Sequence, residues 1–395
     1  MFAAITGADR PFFEPAGNAC EHYEHFEDDI ALLASLGLNT YRFGIEWARI
    51  EPKEGEFDAE ALEHYRQMLQ SCRRQGVTPL VTLHHFSSPR WLIAGGGWES
   101  PDTPSRFARY AGHVVSNLSD LILGTNGSPG AICTLNEVNT GRLNSVGHAL
   151  PDYRREERWV HEAAAAIEVD PSRFTPWTFA SSEDAVDVIL ESHFTAVRAI
   201  KEIDDRHSVG LTLASQDIVP SEAKYKPDAV KLCQYLEDRF LSALRDHPSR
   251  GDFIGVQSYT HTVVGKRADG SVGEIDPGPD ARILQMGYTF APRSLEACLR
   301  HTYELTGMPL IVTESGIGTD NDEERIEYLT SAIEGVANCL ADEIPVGGFI
   351  AWSLLDNYEW EHGYPPKFGI VAVDRQTQER TPRPSAHWLG RVARS

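Results

Sequence analysis

Two glutamates end runs that are otherwise apolar and β-branched: Glu137 closes "AICTLNE" and Glu314 sits in "PLIVTESG". A charged carboxylate is costly to withdraw from water, so a chain that ends two such strands this way holds the groups there for a reason. Paired carboxylates around a sugar can cleave a glycosidic bond, one protonating the leaving oxygen while the other attacks the anomeric carbon or activates water. The two must then sit in unequal environments, so that their pKa values separate. Taken alone, the same pair reads equally as structural carboxylates in ion pairs, with Arg42 as a partner.

Elements that would position them follow from periodicity. Strand candidates run over 40–47, 77–85, 131–137, 209–215, 252–259, 309–316 and 347–356, and amphipathic helical runs over 27–38, 59–76, 181–204 and 322–342. Short β-branched runs alternating with longer amphipathic ones are the pattern of βα units around a parallel sheet. Arg42 and Glu46, His84 and His85, Asn136 and Glu137, Gln257 and Tyr259, Glu314, then Trp352 and Asp356 gather at the C-terminal ends of these strands. In a parallel α/β barrel that is the face on which active sites are built. The expectation is a single domain over 1–395 of (β/α)8 TIM-barrel type, with long βα loops at 138–180 and 260–293. Trp159, Phe174, Trp177, Phe179, Tyr288 and Phe290 in those loops are expected to wall the site.

Five blocks in order, "YRFGIEWARIEP", "LHHFSSPRWL", "TLNEV", "VTESG" and "AWSLLDNYEWEHGYPPKFGIVAVD", together resemble glycoside hydrolase family one, the retaining β-glucosidases and β-galactosidases. The resemblance implies Glu137 as acid/base and Glu314 as nucleophile, with the two carboxyl groups roughly 5 Å apart. It implies Asn136 on the sugar 2-hydroxyl, His85 on a further hydroxyl, and Arg42 and Tyr259 positioning the nucleophile. Trp352, Glu359 and Trp360 would grip the far side of the sugar. No metal or other cofactor is implied. The expected activity is that of a retaining exo-β-glycosidase, a β-glucosidase before a β-galactosidase, β-fucosidase or transglycosidase; a catalytically weakened sugar-binding relic is the rival from another class. Three small departures stand inside the blocks, at Val138, Ser315 and Gln257. A larger one stands at the start, where the family's first strand carries a sugar-binding glutamine. Only "MFAAIT" is a candidate for that strand, and it has no glutamine, so the strand is expected to be short or missing.

The adjacent His84 and His85 point to opposite faces of a strand, which argues against a shared metal; no HExxH or Cys/His spacing supports one. A net charge of −22 repels nucleic acid and anionic membranes. The expected partner is a small β-glycoside or oligosaccharide; the sequence does not fix the oligomeric state. Six scattered cysteines without a CxxC pair read as free thiols. With no leader-like N-terminus and no apolar run of membrane-spanning length, the expected location is the cytoplasm.

Overall fold

The computed structural model describes residues 14–124, 130–146 and 157–395. Each of the seven sequence-derived strands forms: β1 (Thr40–Gly44), β2 (Thr78–His84), β3 (Ala131–Leu135), β4 (Ser208–Ala214), β5 (Phe253–Gln257), β6 (Leu310–Ser315) and β7 (Val346–Ala351). They pair in that order, each parallel to the next, into one curved sheet that is a nearly closed TIM-type barrel. The "MFAAIT" candidate lies outside the described residues; among those residues, no eighth strand joins the sheet. A cavity of about 480 Å³ lies where β1 and β7 come together, lined by Tyr41, Phe43, Phe349 and Ala351.

Alternation explains the two layers of core. Val81, Ile132, Ile254, Leu310 and Val312 face outward into the main core beneath the helices. Their neighbours Leu80, Cys133, Phe253 and Ile311 point to the other face and pack together as a separate cluster inside the barrel. Around the outside run α1 (His22–Leu36), α2 (Ala59–Arg74), α3 (Thr103–Ile122), α4 (Glu183–Ile203), α5 (Ser294–Thr306), α6 (Asp322–Ala341) and α7 (Pro384–Val392). In α2, Leu62, Tyr65, Met68, Leu69 and Cys72 make the buried stripe, and Asp58 caps the start by accepting from the amides of Glu60 and Ala61. Such a cap is worth about 1 kcal/mol. The buried Tyr110 of α3 donates to the carbonyls of Ile45 and Leu83, tying helix to barrel just beyond β1.

The long excursions are not plain loops. Residues 260–293 carry strands His261–Lys266 and Val272–Glu274, which join Asp217–Pro220 in a small outer sheet. Within 138–180, described helices run over Thr140–Ser145 and Arg158–Ala165. Half of the aromatic wall is a satellite core: Trp159, Phe174 and Phe179 cluster with Ile93 and Val160, separate from the main core. Trp177 packs on His84, and Phe290 on Tyr328. Tyr288 lines a cavity shared with Glu137. Short turns of helix let these segments bury aromatics among themselves, which sequence spacing could not reveal.

No described helix is long and apolar enough to cross a membrane. All six cysteines are free thiols.

Candidate active site

Glu314 stands near the end of β6, directly opposite Gln257 at the end of β5, and is 3% exposed. One carboxylate oxygen accepts from the Arg42 guanidinium and from Gln257 Nε2 at 2.9 Å, while the other accepts from the Tyr259 hydroxyl. Three donors, one of them cationic, occupy both carboxylate oxygens and fix the orientation of the group.

Asn136 ties this group to the next strand. Its Oδ1 accepts from Arg42 Nη2 at 2.5 Å, Gln257 Nε2 at 2.8 Å and Thr212 Oγ1 at 3.1 Å. That leaves its amide nitrogen to face His85 Nε2 at 3.1 Å. Because an amide nitrogen only donates, His85 must accept there, and its ring proton resides on Nδ1. Burial and then the Arg42 cation push His85 well below the ordinary histidine range, so it is the neutral imidazole. A neutral ring with one fixed N–H is a directed donor to a hydroxyl.

Glu137 is held differently. Its backbone has φ +46, a left-handed conformation rare for a residue with a side chain. The conformation is fixed by its amide donating to Thr212 Oγ1 at 2.9 Å and by Thr140 Oγ1 donating to its Oε2 at 3.0 Å. Strain of this kind persists where the surroundings over-determine it, commonly at functional sites. Thr212 itself is seated because Gly255 on the next strand has no side chain: a Cβ there would stand 2.6 Å from the Thr212 methyl. Burial first, and the Glu314 charge second, raise Glu137 far above the usual carboxylate range. One carboxyl is thus proton-bearing at neutral pH while its neighbour sits among cationic and hydroxyl donors, the asymmetry an acid and a nucleophile require.

The chain belongs to glycosyl hydrolase family 1. The family's sequence profile matches residues 13–254 and 250–395. A solved beta-glycosidase, BGL167, superposes with a TM-score of 0.91 at 43% identity, over 100% of this chain and 91% of that one. The apo structure of beta-glucosidase 1317 gives 0.88 at 40% identity, over 100% and 93%. Thermostable beta-glucosidase B of Thermobispora bispora is 30% identical over 418 residues, covering 95% of this chain and 81% of the relative. The protein is a glycoside hydrolase of the (β/α)8 class.

Beyond the two glutamates of this family 1 hydrolase lie the other predicted residues. Trp352 follows β7, its ring 5.9 Å from that of His85, and its Nε1 donates to Glu359 Oε1 at 3.2 Å. Burial raises Glu359 to about 7. Trp360 is 38% exposed and packs its ring against Phe86. His84, by contrast, is wedged between Trp98 and Trp177 with Ser88 as its partner, and burial lowers it to about 3. Asp356 accepts from the two terminal guanidinium nitrogens of Arg383 and from the Gly369 amide, a structural anchor for the loop after β7. Glu46 caps the short helix Trp47–Ile50.

Two residues carry more of the site than sequence alone assigns them. Gln257, expected at a strand end but given no role beyond a departure from the family pattern, bridges Glu314 and Asn136 with one nitrogen. Thr212 supports both Asn136 and Glu137. The signal for Gln257 was present, an amide closing a fully apolar strand; Thr212 offered none, since threonine is ordinary within strands.

Proposed function

We propose that this chain is a retaining β-glucosidase in which Glu314 is the nucleophile and Glu137 the acid/base. The supporting observation is the divided environment of the two glutamates: a trio of donors, one of them cationic, on Glu314, and a Glu137 whose carboxyl is raised by desolvation and by the Glu314 charge. In the first step Glu314 attacks the anomeric carbon while Glu137 hands its proton to the departing oxygen. Glu137, now a carboxylate, then takes a proton from water, which displaces Glu314 from the sugar. Configuration is retained over the two inversions.

Asn136, held by three donors on its oxygen, presents its remaining amide hydrogen towards the 2-hydroxyl, a contact that strengthens as positive charge develops on the ring. His85 and Glu359 bind further hydroxyls, Trp352 and Trp360 form the platform for the sugar's apolar face, and Arg42 and Tyr259 hold Glu314. Glu359 also disfavours an anionic 6-phospho sugar, because two like charges would meet in a buried place. Both half-reactions run on carboxylates, so the mechanism asks for no cofactor. The reading takes 1–395 as one catalytic domain acting on neutral glycosides in the cytoplasm, not on nucleic acid; six free thiols and the net charge of −22 favour that setting.

A panel of p-nitrophenyl β-glycosides tests the assignment, with the β-glucoside expected to have the highest kcat/KM and NMR to show β-glucose as the first product. A folded protein that turns over none of the panel is the sugar-binding relic instead; α-glucose as first product would exclude retention.

Gln257→Leu should lower kcat/KM about 10- to 100-fold, the equivalent of a hydrogen bond to a charged group of about 1.5–3 kcal/mol. An unchanged rate would mean that Arg42 and Tyr259 suffice to hold Glu314.

A further inference from the structure

The sequence carries no standard metal-ligand spacing. The fold nevertheless assembles three ligand types on the barrel's outer side. Helix Lys226–Cys233 does not run straight into helix Arg239–Asp246: a π-helical turn over Gln234–Asp238 separates them. In an α-helix, residues five apart stand about 140° apart around the axis. The widened turn, with its i→i+5 bonding, brings Cys233 and Asp238 to the same side instead. There they meet His301 of α5.

The three side chains converge on a single point. Asp238 Oδ1 lies 2.8 Å from His301 Nε2, Cys233 Sγ lies 3.3 Å from the same nitrogen, and Sγ to Oδ1 is 3.7 Å. Without a metal, the imidazole N–H and the thiol S–H both point at Asp238 Oδ1, two protons crowded on one oxygen. A cation in place of the two protons relieves this. With metal–sulfur and metal–nitrogen or oxygen bonds of about 2.3 and 2.0 Å at tetrahedral angles, ligand atoms stand roughly 3.3–3.5 Å apart. The observed triangle therefore needs only sub-ångström adjustment.

We infer that Cys233, Asp238 and His301 form a binding site for a divalent transition cation of the zinc class, outside the network around the glutamate pair. A thiolate, an imidazole and a carboxylate are the donor set of a borderline-soft ion, not of calcium or magnesium. On binding, the thiol loses its proton to solvent as the sulfur–metal bond forms, His301 ligates through Nε2 with its proton on Nδ1, and water completes the fourth position. Thiolate and carboxylate together neutralise the ion's two charges. Asp217 and the buried Glu237 add negative potential around the thiol. His301 and Asp238 keep 36% and 23% of their side-chain surface open, which leaves an entry path.

Occupancy would cross-link the π-turn to α5. Leu232 and Leu236, on the helical segment that carries Cys233, line the cavity that holds Glu137 and Tyr288. The ion would thus stiffen one wall of that cavity without touching the reacting groups.

The test is titration of the full-length, reduced, chelator-stripped protein with CoCl2. One equivalent should produce a near-ultraviolet thiolate-to-cobalt charge-transfer band, absent in Cys233→Ser and in His301→Ala. Zn2+ at about a hundredfold excess over its Kd should raise Tm by about 3 °C in the unaltered protein and by nothing in either variant. Both variants should hydrolyse aryl glucoside at the unaltered rate without metal, which certifies their fold. A folded protein that gives no band overturns the inference, as does a band that survives Cys233→Ser, for the thiolate would then be another cysteine.

Discussion

Replacing Glu314 by alanine is expected to lower kcat for an aryl β-glucoside by about 10^5-fold, the scale seen when a nucleophile is removed from groups that act as a unit. Azide should restore part of the rate, and the reason is electrostatic as well as steric. The substitution vacates the space under the anomeric carbon and leaves Arg42 buried without its anion, both side chains being about 5% exposed in the pair. A small anion is drawn to that place. It then attacks from the face Glu314 occupied, in one inversion, so an activated β-glucoside should yield the α-glucosyl azide. An uncompensated buried guanidinium costs about 3–5 kcal/mol of stability. Glu314→Gln, which keeps the shape and a hydrogen-bond acceptor, should fold better while remaining as inactive. Retained activity in both folded variants, or a β-azide from Glu314→Ala, would remove Glu314 from the nucleophile's role.

How much of this is legible in the sequence varies by element. The seven strands were legible because barrel strands buried on both faces leave continuous apolar runs with a polar residue at the end, a pattern that few other backbone arrangements produce. Glu137 and Glu314 were legible for the same reason: a carboxylate in that place is expensive. The resemblance supplied the roles proposed for Asn136, His85 and Trp352, which composition and spacing alone would not have separated from packing residues. What stayed hidden depended on contacts between distant segments. Thr212 matters because Gly255 makes room for it and because two different residues of "TLNE" reach it. Trp159, Phe174 and Phe179 looked like walls of a site and instead pack on one another. The outer sheet of Asp217–Pro220, His261–Lys266 and Val272–Glu274 lay inside what reads as loop, since short strands with Gly and charged residues lack a strong period. The π-turn at Gln234–Asp238 has no sequence signature at all, yet it decides which side chains share a face.

Glu137→Gln separates the acid from every other contribution, because the requirement for a proton depends on the leaving group. A 2,4-dinitrophenolate departs without help, so its glucoside should keep a glycosylation rate within about tenfold of the unaltered enzyme. Alkyl and disaccharide glucosides need the proton and should lose the full general-acid contribution of about 10^2–10^4-fold. The pH profile gives a second, independent reading. Burial and the Glu314 charge push Glu137 up to about 8, and the acid is competent only while protonated. In the unaltered enzyme kcat/KM for a poor leaving group should therefore hold through neutral pH and fall as pH rises through that region. The glutamine variant has no proton to lose there, and its alkaline limb should disappear. Glu359, also raised by burial, to about 7, is the other group able to produce such a limb. A limb that persists in Glu137→Gln would belong to Glu359 and to sugar binding. Equal losses for good and poor leaving groups would show that Glu137 positions the substrate without protonating it. Azide adds the stereochemical check: with Glu314 intact, the covalent glucosyl-enzyme still forms, azide attacks it from the opposite face, and the product should be the β-glucosyl azide. The two glutamates thus predict opposite anomers from one reagent, which a purely structural ion-pair network cannot do.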